Sequence, residues 1–163
     1  MKKSGTASGR TKTNGHSATA ENSNSMLEEF FHEELKKAIG NHLEVTKEHV
    51  NRLENVFEKL GHKAQAKKCD AIEGITKEGE SIIEETEQGT ATRDVGLIMA
   101  AQKVEHYEIA TYGGLTQLAK TLGNDEIAEI LGNTLSEEKE ADETLTSIAE
   151  NNVNYESSQE AEV

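Results

Sequence analysis

The feature that most constrains this chain is a mainly apolar stripe that runs from Val95 to Leu122 at helical spacing. Its positions are 95, 98, 101, 105, 108, 112, 115, 119 and 122. Steps of three and four residues keep one face of an α-helix turned inward, so we predict a helix that begins at Thr92 or Arg93. Gly123 follows the stripe, where a left-handed residue commonly ends a helix. The chain has no proline and only 4% aromatic residues, which favours an all-α fold over a sandwich or barrel.

Three further segments show the same spacing more weakly, at residues 25–60, 67–87 and 125–150. The first opens with Ser25 and Glu28, which have the form of a capping box. Gly40 and Asn41 interrupt good helix formers in its middle and indicate either a bend in one helix or a turn between two helices. We favour one bent helix. Four helices with short connections predict an antiparallel bundle.

The two ends of the chain differ from its middle in composition. Residues 1–24 have no apolar periodicity and carry four basic residues against one acidic residue, so we predict a disordered basic tail. We predict that the helical domain spans residues 25–152. The remaining residues, 153–163, should form a flexible acidic tail, because the sequence after Asn151 lacks an apolar stripe.

Charge and composition exclude several classes of function. The formal net charge is −14, which disfavours nucleic acid as a partner, although the basic tail alone could contact it. No apolar run approaches the ~20 residues of a membrane span, and Cys69 is the only cysteine, so we predict a cytoplasmic protein without an intrachain disulfide. A phosphate-binding glycine loop, a zinc spacing of Cys and His, and a Cys, His and Asp triad are all absent from the sequence.

Carboxylates occupy inward positions on two of the predicted helices. Glu105 and Glu108 interrupt the stripe of the third helix, and Glu138 and Asp142 interrupt that of the fourth. A lone buried carboxylate is unfavourable by several kcal/mol unless it is protonated, paired or bound to a metal. Facing helices that each project acids inward are how bundles hold two iron or manganese ions. The acids could instead be boundary residues that pair with lysines or solvent.

Two histidines of the first long helix, His42 and His49, lie beside its apolar stripe and could supply an imidazole. A histidine near a core face is more often a hydrogen-bonded structural residue than a ligand. Glu44 points to the opposite flank, so its helical phase indicates a solvated side chain.

Several stretches of this sequence resemble the YciE/YciF family of ferritin-like proteins. They are HLEVTKEHVNRLENVF at 42–57, KKCDAIEGI at 67–75, AAQKVEHYEIATYGGL at 100–115 and TLSEEKEADETLT at 134–146. The resemblance covers residues 26–155. It implies a ferritin-like bundle, usually dimeric, that acts as a ferroxidase on Fe(II) with an oxygen-derived oxidant, often in a stress response. The ligands it implies are Glu105, Glu108, Glu138, Asp142, His49 and Glu44.

Two departures from the family pattern affect the expected iron site. LEEFFHEEL resembles the start of the family's first helix, but it runs directly into KKAIGNHLE, so about thirty residues and one ligand are missing. Val45 stands where many relatives carry a second Glu. The resemblance therefore implies either a di-iron or a weakened mononuclear centre. The alternative function is a non-catalytic module for oligomerisation or for interactions in stress.

The shortened first helix also predicts an assembly. A helix over residues 25–60 would be roughly 50 Å long, so its end at Leu27, Phe30 and Phe31 should overhang the bundle. Because exposed apolar surface is unfavourable, we expect a homodimer in which this end packs on a second chain.

Overall fold

The computed structural model describes residues 27–160, which form an all-α bundle, as predicted. The predicted basic tail at 1–24 and the Ser25 cap lie outside the described residues, as do residues 161–163. The helices are α1 (Glu33–Lys59), α2 (Asp70–Glu85), α3 (Ala91–Thr121) and α4 (Asp125–Ile148), and a π-helical turn (Ala149–Val153) leads into the short α5 (Asn154–Gln159). No helix within residues 27–160 combines the length and apolarity that a membrane span requires.

Side-chain contacts show that neighbouring helices run in opposite directions. On α1 and α4, Lys59 pairs with Glu126 at 2.6 Å, and the earlier Arg52 pairs with the later Glu137. Helix α3 lies antiparallel to α4 and makes the most extensive contact in the fold, while α2 packs along the other side of α3. Gly123 adopts positive φ, which is the left-handed cap that the sequence predicts for the end of α3, and Gly61 has the same conformation after α1.

Two apolar clusters fill the bundle, one at each end. One contains Phe30, Leu35, Leu97, Ile98, Leu145, Ile148 and Val153. The other contains Val56, Tyr112, Ala119, Ile127, Ala128 and Leu131. Between them, α1, α3 and α4 bring polar side chains to the same level, and this level is the candidate site described below.

Helix α1 begins at Glu33, so the continuous helix predicted over residues 25–60 is interrupted before this residue. The backbone is extended at its N-cap, His32, because the Asp94 carboxylate accepts hydrogen bonds from the backbone N–H groups of Phe31 at 2.8 Å and His32 at 2.7 Å. This cap is 62 residues distant along the chain, so no local pattern could indicate it. The helix then continues through Gly40, which confirms one helix and excludes a turn there.

The predicted overhang at the start of α1 is wrong for two of its three residues. Phe30 is only 7% exposed and belongs to the core of its own chain, and Leu27 packs beside Gly40. Only Phe31 is exposed, at 48%. The break before Glu33 folds this segment back onto the bundle, so the apolar surface is covered without a second chain.

Residues 153–160 also differ from the expected flexible tail. Val153 is 1% exposed and packs with the core, and the chain stays helical to Gln159. The Glu160 carboxylate then accepts hydrogen bonds from the backbone N–H groups of Ala91 at 2.7 Å and Thr92 at 2.9 Å. The end of the described chain therefore caps the start of α3, where an anion is favourable.

Candidate metal centre

Three helices each contribute one side chain to the only group of potential metal ligands found within residues 27–160. His42 of α1, Glu105 of α3 and Glu138 of α4 each place one donor atom within 4.8 Å of the others. His42 Nε2 lies 3.4 Å from Glu105 Oε1 and 3.6 Å from Glu138 Oε2. Both glutamates are buried, whereas His42 is half-buried at the solvent side of the group.

Three of the four oxygens of the two glutamates are buried without a hydrogen bond, although His49 Nδ1 lies 3.0 Å from Glu138 Oε1. Glu138 has no exposed surface, and neither of its oxygens receives a hydrogen bond from the described part of the chain. Glu105 Oε2 is likewise without a partner. Buried polar atoms almost always have a partner, so three unsatisfied carboxylate oxygens at one point require an explanation. A cation bound between them would supply it.

The acids also perturb each other's ionisation. Burial, together with the charges of Glu138 and Glu108, raises the pKa of Glu105 to about 8. Burial and the charge of Glu108 raise the pKa of Glu138 to about 7. Burial alone raises the pKa of Glu108. Glu105 and Glu138 therefore hold protons near neutral pH, and a metal ion would have to displace them.

His42 has the protonation state of a metal ligand. Burial, followed by the neighbouring His49, lowers its pKa below the ordinary 6.5. The imidazole is therefore neutral at pH 7 and has a free lone pair. One neutral imidazole and two carboxylates are donors that suit first-row divalent cations, so the residues present fit a metal such as iron.

The predicted ligand His49 has a different environment. It is 3% exposed, its Nε2 lies 2.7 Å from Glu137 Oε2, and its Nδ1 lies 3.0 Å from Glu138 Oε1. Arg52 donates two hydrogen bonds to Glu137, and this pairing lowers the pKa of Glu137. The Glu137–Arg52 ion pair therefore holds the His49 ring at Nε2, while Nδ1 faces the Glu138 carboxylate. Outer residues commonly orient a metal-binding carboxylate in this way.

The other predicted ligands do not join the three-residue group. Glu44 is exposed and pairs with Lys47, as its helical phase indicates and contrary to what the resemblance implies. Asp142 accepts a hydrogen bond from Gln102 at 3.1 Å and lies 3.4 Å from His106. Glu108 is half-buried and close enough to affect the pKa of both central glutamates, but it is not among the mutually close donors.

Sequence reasoning named His42 as a source of imidazole but did not include it among the ligands. His42 and His49 are seven residues apart, so both occupy the same helical face, and their spacing gives no means of choosing between them. Glu137 was missed because it precedes Glu138 by one residue and so lies about 100° away from the predicted inward face of α4. The useful signal was Arg52, whose charge on the inner flank of α1 required an acidic partner on a facing helix.

Comparisons with known proteins agree with this fold. The family described as "Domain of unknown function (DUF892)" matches residues 16–158. Protein YciF of Escherichia coli K12 is 47% identical over 123 residues, which is 75% of this chain and 74% of that protein.

Two solved structures are also similar. The E. coli stress protein YciF has 42% identity and a TM-score of 0.73 over 82% of this chain and 87% of its own. YcfI of Rhodopseudomonas palustris, for which a structural role has been suggested, has 36% identity and a TM-score of 0.74 over 80% of this chain and 82% of its own. The resemblance seen in the sequence is confirmed, and this chain belongs to the DUF892 family, that of the YciF proteins.

Proposed function

We propose that this chain binds iron through His42, Glu105 and Glu138 and acts as a ferroxidase, oxidising Fe(II) with dioxygen or a peroxide as the electron acceptor. The observation that supports this most strongly is Glu138, a carboxylate with no exposed surface whose two oxygens receive no hydrogen bond, close to Glu105, whose Oε2 is also unsatisfied. The role of a stress protein, which is the description of E. coli YciF, suits an activity that limits iron-driven damage.

The residues of the site favour loss of an electron from bound Fe(II). Anionic carboxylate oxygens interact more strongly with a trivalent than with a divalent cation, because the attraction grows with charge. Glu105 and Glu138 release their protons when they bind the substrate ion, and neutral His42 completes the donor set. His49 and Glu137 keep the Glu138 carboxylate directed at the ion.

The donor set supports one ion per chain better than two. Asp142 already has a hydrogen bond from Gln102, and Glu44 lies at the surface. A second ion would have to rely on Glu108 without a further buried partner among the residues described. We therefore propose a mononuclear site, which is one of the two alternatives that the family resemblance implies.

Anaerobic loading with Fe(II) followed by elemental analysis tests this proposal. The wild type should retain about one iron per chain, and Glu138→Gln should bind roughly 10- to 100-fold more weakly, because it loses an anionic donor. Glu143→Gln is the matched control, since Glu143 is an exposed acid on the same helix. Equal iron in all three proteins would contradict the proposed site, and iron retained without oxidation on exposure to air would contradict the ferroxidase activity.

A non-catalytic oligomerisation module is the second candidate function. Leu115, Leu118 and Leu122 form an exposed apolar row on α3, with 40%, 53% and 67% of their surface accessible. A homodimer that covers this row would replace the dimer through Phe30 that the sequence suggested. Light scattering on Leu118→Glu tests it: a dimer that dissociates supports this candidate, and a wild-type monomer at micromolar concentration rejects it.

A further inference from the structure

A cavity of about 400 Å³ between α1 and α4 leads from the surface to the candidate metal centre. Glu105 lies in its lining, together with His42 from the same centre. A water molecule occupies about 30 Å³ in the liquid, so the cavity holds roughly ten waters, enough for a hydrated cation. It therefore has the size of a passage for an ion with its first shell of water.

The cavity has apolar walls and acidic groups at increasing depth. Ile39, Val45 and Leu145 belong to the apolar part of its lining. Glu140 is exposed, and no cation pairs with it within residues 27–160. Glu105 is 4% exposed, and its Oε2 has no hydrogen-bond partner.

Glu137, which also lines the cavity, differs from Glu140 because Arg52 and His49 already hold its carboxylate. Its charge is therefore largely compensated. Glu140 is the lining acid whose charge is available to an incoming cation before that cation reaches the buried glutamates.

We propose that this cavity is the entry path for hydrated divalent cations and that Glu140 captures the ion at the mouth and passes it to Glu105 and Glu138. This inference rests on the proposed function and adds a residue that determines the rate of metal uptake. Clefts lined by charge of one sign between low-dielectric walls concentrate counter-ions and raise association rates 10- to 1,000-fold. Glu140 binds the cation only in passing, so it should affect the rate of binding and not the number of ions bound.

Stopped-flow mixing with Co(II) chloride, followed by visible absorbance, tests the role of Glu140 in the full chain. Glu140→Gln should reduce the association rate about tenfold, at the lower end of the range for electrostatic steering, with unchanged stoichiometry. Glu143→Gln removes the same charge one helical turn away but outside the cavity lining, so its rate should fall less than about twofold. Both residues are exposed, so neither variant should disturb folding.

Four outcomes would overturn the inference. Equal slowing by both variants would show that only the overall charge matters, and an unchanged rate in Glu140→Gln would exclude capture at the mouth; in both cases the proposed metal site survives. Loss of bound Co(II) in Glu140→Gln would make this residue a ligand and not an entry residue. A wild type that binds no Co(II) would instead remove the proposed function, and the inference with it.

Discussion

Asp94 of α3 and Glu138 of α4 are both completely buried carboxylates in one bundle, yet their surroundings are opposite. Asp94 accepts hydrogen bonds from the backbone N–H groups of Phe31 and His32, and it also contacts the His32 ring nitrogen Nδ1 at 2.7 Å. Glu138 receives no hydrogen bond from a backbone N–H group; its carboxylate lies 3.0 Å from His49 Nδ1 and faces Glu105, another acid. Burial alone therefore does not distinguish a structural acid from a candidate ligand.

The difference lies in what compensates each charge. At the end of the bundle, the chain itself supplies donors, and the ring of His32 also reaches Glu156 at 2.9 Å. At the middle, the fold gathers acids and leaves their oxygens open. A protein-supplied donor makes Asp94 part of the stable fold, whereas Glu138 is a position where the fold is less stable until a cation binds.

Removing Asp94 should have the largest effect on stability. Asp94→Ala leaves two backbone N–H groups and the His32 ring without their acceptor, so we expect the free energy of unfolding to fall by about 3–5 kcal/mol. Urea denaturation of the metal-free protein measures this loss. Asp70→Asn is the control, because the Asp70 side chain is 94% exposed and should change stability by less than about 1 kcal/mol. Similar losses in the two variants would refute the role of Asp94 as a buried cap.

Changing Glu138 should have the opposite sign in the metal-free protein. The folded pKa of Glu138 is about 7, above the ordinary 4.5. The free energy of unfolding therefore decreases as pH rises from 4.5 to 7, and the full decrease is present at pH 8. Glu138→Gln should therefore raise the free energy of unfolding at pH 8 by up to about 3 kcal/mol, since one pKa unit corresponds to about 1.4 kcal/mol.

Glu138→Gln should no longer be more stable than the wild type when the wild type is saturated with Fe(II) under anaerobic conditions. Metal binding to the folded state adds about 3 kcal/mol at a concentration 100-fold above the dissociation constant. Urea midpoints with and without the metal measure both effects. A Glu138→Gln protein that is less stable than the wild type without metal would show that Glu138 is a structural acid like Asp94.

His32 should give the Asp94 end of the bundle a pH dependence. Burial lowers its pKa, but the hydrogen bonds to Asp94 and Glu156 outweigh burial, and the net pKa is raised above 6.5. A raised folded pKa means that the stabilisation is fully present below pH 6.5 and is lost as pH rises through the folded value. We expect His32→Gln to lower stability by about 1–2 kcal/mol at pH 5.5 and by less at pH 9. An equal loss at both pH values would show that the charge of His32 has no part in this contact.

The smallest effects should come from predicted ligands that the structure places apart from the centre. Glu44→Gln should leave the iron content of the loaded protein unchanged, because Glu44 is exposed. Asp142→Asn should also leave it nearly unchanged, because Asp142 pairs with Gln102 and is not among the mutually close donor residues. Elemental analysis compares the iron content of both variants with that of Glu105→Gln, which should lose most of the iron. Loss of iron in Glu44→Gln would restore the ligand set that the family resemblance implies.

The helices could largely be predicted because their signals are local. The stripe from Val95 to Leu122 and the glycines at 61 and 123 lie within a few residues of the structures they specify. The inward orientation predicted for Leu115 and Leu122 is wrong, because both are exposed where α3 extends beyond α2. The inward phase of Glu105 and Glu138 follows from the same periodicity, which is why both acids could be identified without a structure. The start of α1 could not be predicted, because its cap comes from Asp94 on another helix.

The sequence by itself determined that this chain forms a helical bundle and that acids project into it, since spacing of 3.6 residues per turn assigns each side chain to a face. Only the tertiary structure decided which of those acids meet. His42 and His49 share one helical face, but the heights at which α1, α3 and α4 pack place His42 beside Glu105 and Glu138 and place His49 between Glu138 and Glu137. The height at which one helix packs on another, and its rotation about its own axis, depend on contacts between residues far apart in the chain. The periodicity within one helix gives no information about either quantity.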